Sequence, residues 1–339
     1  MGRSCFVLYL TAFCCLFGLL RGSPGDADPI YQGCVLQCEE TGCIGDKCFR
    51  NCNFSDPKNV SWYGQEPHYL EWKKWVCQSD CRYYCMIARE DERQRLGYKP
   101  HKYHRKWPSK HVHGIQEPAA VLLSLLTLAM HFHGWISFLI HVNYNLPFRP
   151  NKKPYYEYTG LWHVYAFFAM NSWLWSGAFH SRDIEFTEKL DCSSAVALMG
   201  YALFLAIIRV FSLRTEAARV IVAAPIFAFA ITHILYLNFY EFDHRWNTIV
   251  SMLIDVTQAT LWCVWVGVSR HPSRWTLWAV ILGGVPATIL MIYDFPPYWG
   301  FVDAHAIWHA TMLPLTYLWW SFVRDDCEFR TSVLVNKEK

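Results

Sequence analysis

Ala119–Val142 reads AAVLLSLLTLAMHFHGWISFLIHV, a run without a single Asp, Glu, Lys or Arg. A helix rising about 1.5 Å per residue needs roughly 20 apolar residues to cross the ~30 Å hydrocarbon core of a bilayer, and this stretch supplies them. Six further runs follow, at Leu161–His180, Cys192–Phe211, Ala217–Asn238, Thr248–Ser269, Trp275–Tyr293 and Ala304–Val323, separated by short polar connectors. In hydrocarbon each backbone N–H and C=O must be satisfied inside the protein, so spans of this length predict helices. The expected architecture is all-α and integral to the membrane. A seven-transmembrane-helix bundle covers residues 118–323 and a short tail follows at 324–339. Apolar residues make up 53% of the chain, and its 17 Trp and 22 Phe fall largely in these blocks. The formal charge of +3 comes without a basic, aromatic-interleaved surface stripe, so no nucleic-acid partner is expected.

Upstream of the first run the character changes. Met1–Leu20 carries Arg3, an apolar stretch from Cys5 and small residues at Gly18, Gly22 and Ser23. That is the layout of a secretory signal peptide, assigned to residues 1–23. Cys34, Cys38, Cys43, Cys48, Cys52, Cys77, Cys81 and Cys85 then crowd the segment 24–117. An even, dense set behind a signal peptide reads as the disulfide framework of a lumenal domain. Zinc fingers are the competing reading, but they belong to reducing compartments and favour a CxxC spacing. Cys34/Cys38, Cys48/Cys52 and Cys77/Cys81/Cys85 repeat at four residues, which suggests one helical face each. Two such helices can be stapled antiparallel, Cys34 to Cys52 and Cys38 to Cys48. The spacing leaves the connectivity open. Asn53 and Asn59 open N-glycosylation sequons, in keeping with a lumenal position.

Basic residues orient the bundle. Arg149, Lys152 and Lys153 follow the first run, Arg209, Arg214 and Arg219 surround the third connector, and Arg270 and Arg274 flank the fifth. The alternate connectors carry Arg182, Lys189 and Arg245 among Asp183, Glu185, Glu188, Glu241, Asp243 and Asp294. The N-terminal domain and the acidic connectors are therefore expected in the lumen, and the C-terminus in the cytosol.

Titratable groups inside a span are costly and mark function by default. Ser176 and His180 lie four apart at the end of the second run, Asp191 begins the third, and His305 and His309 form an H-x-x-x-H pair opening the seventh. Topology places all five at one membrane level. Three neutral imidazoles can make a zinc site with an open fourth position for water, and a nearby carboxylate can take that water's proton. His131, His133, His141 and His163 are read instead as interhelical hydrogen-bonding groups. His233 and Asp255 fall near the same depth, and either orient ligands and substrate or form a structural pair. No G-x-S-x-G elbow surrounds any serine.

Ser176-x-x-x-His180, Asp191 and His305-x-x-x-His309 resemble the signature of the seven-span superfamily that includes alkaline ceramidases and the progestin and adiponectin receptors. The cysteine-rich front end is, together with Asn171-Ser-Trp-x-Trp-Ser-x-x-Phe-His180-x-Arg-Asp183 and Asp303-x-His305-x-x-Trp-His309, similar to its GPI-specific phospholipase-like family. The likeness runs from about Tyr31 to Phe329. The resemblance implies one zinc ion on His180, His305 and His309, with Asp191 and Ser176 supporting the water and the substrate carbonyl. It implies removal of the sn-2 fatty acid from GPI anchors during their fatty-acid remodelling. Substrates would be GPI-anchored proteins among membrane lipids, in the Golgi membrane with some protein in the endoplasmic reticulum. A ceramidase-like amidase would use the same site, and a non-enzymatic receptor or chaperone for GPI-anchored cargo needs only the lumenal domain.

Overall fold

An aspartate ahead of a proline is a strong helix start, because its side chain can cap free N–H groups while proline fits the first turn. Asp28-Pro29 begins α1 (Pro29–Thr41) in this way, with Asp28 Oδ1 accepting from the N–H groups of Ile30 at 2.9 Å and Tyr31 at 3.4 Å. Burial pushes the Asp28 carboxyl up, but hydrogen bonds from Arg89 and those two N–H groups outweigh it and hold it below the ordinary range. Gly42, at φ 69°, ends the helix in the left-handed conformation. The structure, a computed structural model, describes residues 23–49, 52, 77–149, 151 and 153–338. The expected signal peptide, Asn53 and Asn59 lie outside these residues.

After α1 come a two-stranded hairpin, β1 (Cys43–Ile44) and β2 (Lys47–Cys48), and the helix α2 (Cys77–Arg95). The disulfides join Cys34 to Cys85, Cys38 to Cys81, Cys43 to Cys48 and Cys52 to Cys77. Antiparallel stapling of two helices is thus present, but the partners are α1 and α2. The expected Cys34–Cys52 and Cys38–Cys48 bridges are overturned, because Cys48 lies on a strand that turns straight back to Cys43. Tyr31, Phe49 and Tyr103 pack around the bridges as a small core. Burial pushes the Tyr31 hydroxyl up to about 12.

Seven further helices make up the apolar region: α3 (Pro118–Ile140), α4 (Thr159–Ser181), α5 (Glu185–Val210), α6 (Glu216–Phe239), α7 (His244–Val268), α8 (Arg274–Tyr293) and α9 (Ala304–Glu338). A π-helical turn, His141–Asn145, extends α3. Among the described residues five helices are long and apolar enough to cross a membrane: α3 with its π-turn, α5, α6, α7 and α8 up to Met291. The other two expected spans form as α4 and α9 without reaching that apolar threshold. Their Trp, Tyr and His residues have amphipathic rings that lower hydropathy without adding charge, and α9 also runs on into a charged segment. The described residues divide into two compact units, one within 23–116 with 295–303, the other within 117–294 and 304–338.

In the second unit α3 packs on α4 and α9, α4 on α5, α5 on α6 and α7, and α8 on α7 and α9. Trp135 and Trp320 donate their indole N–H to His163 and His131, at 2.9 and 3.1 Å. These histidines are interhelical acceptors, the role expected for them. Gly134 lets the Trp320 ring lie directly on α3, where any side chain would collide with it. Residues 324–338 are no loose tail but the continuation of α9. Asp326 is fully buried there, pairs with Arg209 and accepts from Tyr156 Oη at 2.9 Å, while His271 Nε2 lies 3.4 Å away. A buried carboxylate with these partners holds the segment in helical register against α5.

Candidate metal centre

His180 is the penultimate residue of α4, and His305 and His309 occupy the first two turns of α9. Because i and i+4 share a helical face, the two α9 imidazoles point the same way, and His180 meets them from α4. The three Nε2 atoms form a near-equilateral triangle, with sides of 3.3 Å (His180–His305), 3.2 Å (His180–His309) and 3.1 Å (His305–His309). Zn–N bonds of about 2.0–2.1 Å in a tetrahedron require N···N edges of about 3.3 Å. The triangle therefore has the size of one face of such a tetrahedron. His180 and His309 are buried, and His305 is half-buried.

The opposite ring nitrogens fix the protons. His180 Nδ1 is bonded to the Glu117 carboxylate, which as an acceptor requires Nδ1–H. The Glu117 backbone N–H also donates to the His180 carbonyl at 3.1 Å, so one residue holds the histidine at both ends. His305 Nδ1 lies 3.4 Å from the thioether of Met291, again an acceptor. His309 Nδ1 is 3.4 Å from Ser124 Oγ, which is 3.3 Å from Ser176 Oγ. Nδ1–H of His180 and His305 turns their Nε2 lone pairs inward, and the Ser124 hydroxyl, which can accept as well as donate, allows the same proton placement at His309. Three such lone pairs at this distance repel one another unless a cation sits between them, so the donor set fits a divalent metal. Trp308 stacks on His305 and Trp173 meets His309 edge-on, giving the cluster apolar walls.

Ser176 thus reaches the histidines through Ser124. Asp191 lies two turns inside α5, on a helix packed against α4, and outside the three-histidine cluster itself. The N-cap of α5 is Ile184, so capping is not the role of Asp191. The structure does not bring His233 and Asp255 into the three-histidine group: His233 Nε2 pairs with Asn247 at 3.1 Å, and Asp255 lies on an exposed side of α7. The sequence reading missed Glu117 and Ser124. Glu117 was visible only as a carboxylate before the first proline of α3, and Ser124 as one polar residue in an apolar run. Cys52, Cys77 and Cys81 also lie close enough to share an ion, but their sulfurs are taken up in disulfides.

The fold and the site together define a multi-pass helical membrane protein with a three-histidine cluster between helices that could hold a metal ion. A family model described as Per1-like matches residues 67–327. The chain is 33% identical to the GPI-specific phospholipase A2-like PGAP3 of Mus musculus over 315 residues, covering 91% of each chain. It is 31% identical to the protein of the same name from Homo sapiens over 91% of this chain and 90% of that one. The Protein PER1 homolog of Schizosaccharomyces pombe is 31% identical over 96% of this chain and 94% of its own. The chain belongs to the Per1-like family.

Proposed function

We propose that this protein is a zinc-dependent ester hydrolase of the phospholipase A2 type that removes the sn-2 fatty acid from GPI anchors during their remodelling. The observation that carries the reading is the triangle of three Nε2 atoms at 3.1–3.3 Å, with Nδ1 partners that keep the lone pairs inward. The names of the relatives, GPI-specific phospholipase A2-like, suggest the substrate class. A metal held by His180, His305 and His309 would supply Lewis-acid polarisation of an ester carbonyl.

The chain's own residues do the rest. Glu117 orients His180, and Ser124 with Ser176 orients His309. Asp191 accepts the proton of the attacking water, so that ester and water become a free fatty acid and a lyso-lipid hydroxyl. In this reading all seven apolar-region helices span the membrane, and the disulfide-rich domain and histidines face the lumen of the Golgi and, in part, the endoplasmic reticulum. A GPI anchor sits in that same leaflet.

The test uses purified full-length protein, with bound zinc measured beside fatty-acid release from a GPI lipid and from ceramide. Fatty acid and lyso-GPI from the first substrate alone, both lost with the metal in His309→Ala, is the expected result. Release from ceramide alone makes the protein an amidase. Full metal and full activity in His309→Ala overturns the site, and metal-free protein that still binds GPI-anchored cargo makes it a receptor.

A further inference from the structure

Far from the His180, His305 and His309 cluster, the seam between α3 and α9 holds a cavity of about 450 Å³, within the ~300–1,000 Å³ usual for ligand sites. His133, Ser137, His141 and Asn145 follow one another at four-residue intervals along α3 and its π-turn, and Arg324 enters from α9. Such a polar stripe on a helix this apolar calls for a reason, since donors and charges at membrane depth are costly. Ser124, beside His309, and His141 are 17 positions apart, about 25 Å along a helix. The cavity therefore lies near the opposite end of the bundle, which in the topology of the proposed function is the level of the other leaflet.

Its polar atoms are mostly donors. Asn145 Nδ2 lies 3.3 Å from His141 Nδ1. With the amide donating, the imidazole proton sits on Nε2, which is buried and has no hydrogen-bond partner. Arg324 Nη1 donates to Ser137 Oγ, leaving most of its five N–H groups available. Among the described residues no carboxylate lines the cavity. A guanidinium and an imidazole lining one cavity complement a phosphate, which accepts from both. Ile136 and Ile140 supply an apolar wall where an acyl chain could lie.

We propose that this cavity binds the phosphate of an anionic glycerophospholipid in the leaflet opposite the histidine cluster. Arg324 pairs with the phosphate oxygens, His141 Nε2–H donates to one of them, and Ile136 and Ile140 meet the lipid's upper chain. The same donors would also take free phosphate, and the experiment separates the two.

Full-length protein is placed in nanodiscs of phosphatidylcholine with a small fraction of phosphatidic acid, and retained lipid is counted by native mass spectrometry. The wild type is expected to keep about one phosphatidic acid per chain, and Arg324→Gln with His141→Ala to lower that retention about tenfold. Asn143→Ala, an exposed change on the same turn, should leave it unaltered, and Arg324→Lys should keep part of it. His141→Ala alone carries the test if the double variant loses its helicity or elution volume. Displacement of the lipid by millimolar inorganic phosphate would make free phosphate the ligand and overturn the lipid assignment. Equal retention in wild type and variants, or none in the wild type, would refute the site.

Discussion

Glu117 is the residue whose role depends most on the fold. It is 63 positions from His180, so no local spacing links them, and their contact exists only because α3 starts where α4 ends. Ser124 and His309 are 185 apart and meet for the same kind of reason. The histidines were legible because i,i+4 pairs survive any helical packing, whereas their supports were not. Residues that orient a metal-binding histidine typically contribute 10–100-fold in affinity. Glu117→Gln keeps an acceptor but removes the charge, so zinc affinity should fall about 10-fold while the protein stays folded. Competition against a chelator measures this, and unchanged affinity would remove Glu117 from the site. Asp191→Asn addresses the other role. The side chain keeps its shape but cannot take a proton, so turnover should fall about 10²–10⁴-fold with zinc still bound. Normal fatty-acid release from the zinc-loaded variant would leave the water without a base on α5.

Elements were read more reliably than their partners. The seven apolar blocks all form helices, because length and backbone satisfaction decide that locally. Span number was less legible: α4 and α9 owe their polarity to Trp, Tyr and His packed inside the bundle. The cysteine spacing misled in one place, since a four-residue repeat fits a helical face but Cys48 and Cys52 sit on and beyond a tight hairpin containing Gly45 at φ +55°. The observed bridges make a specific demand. Cys81 is fully buried and ties α2 to Cys38 of α1 across 43 residues. Removing a native bridge from so small a domain typically costs about 2–5 kcal/mol. Cys81→Ser should therefore lower the yield of folded protein, read by expression level and elution profile. Cys34→Ser should behave alike, being the adjacent staple. Normal yield from both would show that α1 and α2 hold together without their bridges.

At the scale of the second unit, polar chemistry collects at two levels: the histidine cluster at one, and Arg209, Asp326, Tyr156 and His271 at the other. The second group was not legible, because its members come from four separate segments and the sequence reading placed Asp326 in a tail. Breaking a buried pair by removing one partner typically costs about 3–5 kcal/mol. Asp326→Ala leaves Arg209 buried without a counter-charge, so a clear fall in thermal midpoint is expected in detergent. A midpoint within error of the wild type would mean that water reaches Arg209.

The long helix α9 joins both levels. Twenty-one residues separate His305 from Asp326, a rod of about 30 Å, and Pro314 lies between them. A proline removes one rung of the helical ladder and clashes with the turn before it, so bending concentrates there. The rod is clamped at its charged end and notched below its histidine end, which makes it a cantilever. The arm before the notch is the short stretch from Ala304 to Leu313, and it carries two corners of the histidine triangle. In the proposed function, admission of a lipid tail would be a matter of flexing this arm while the rest of the helix stays still. Hydrogen exchange should be faster before Pro314 than after it, and Pro314→Ala should stiffen the arm and narrow that difference. Uniform exchange along the helix would show instead that it moves as one piece.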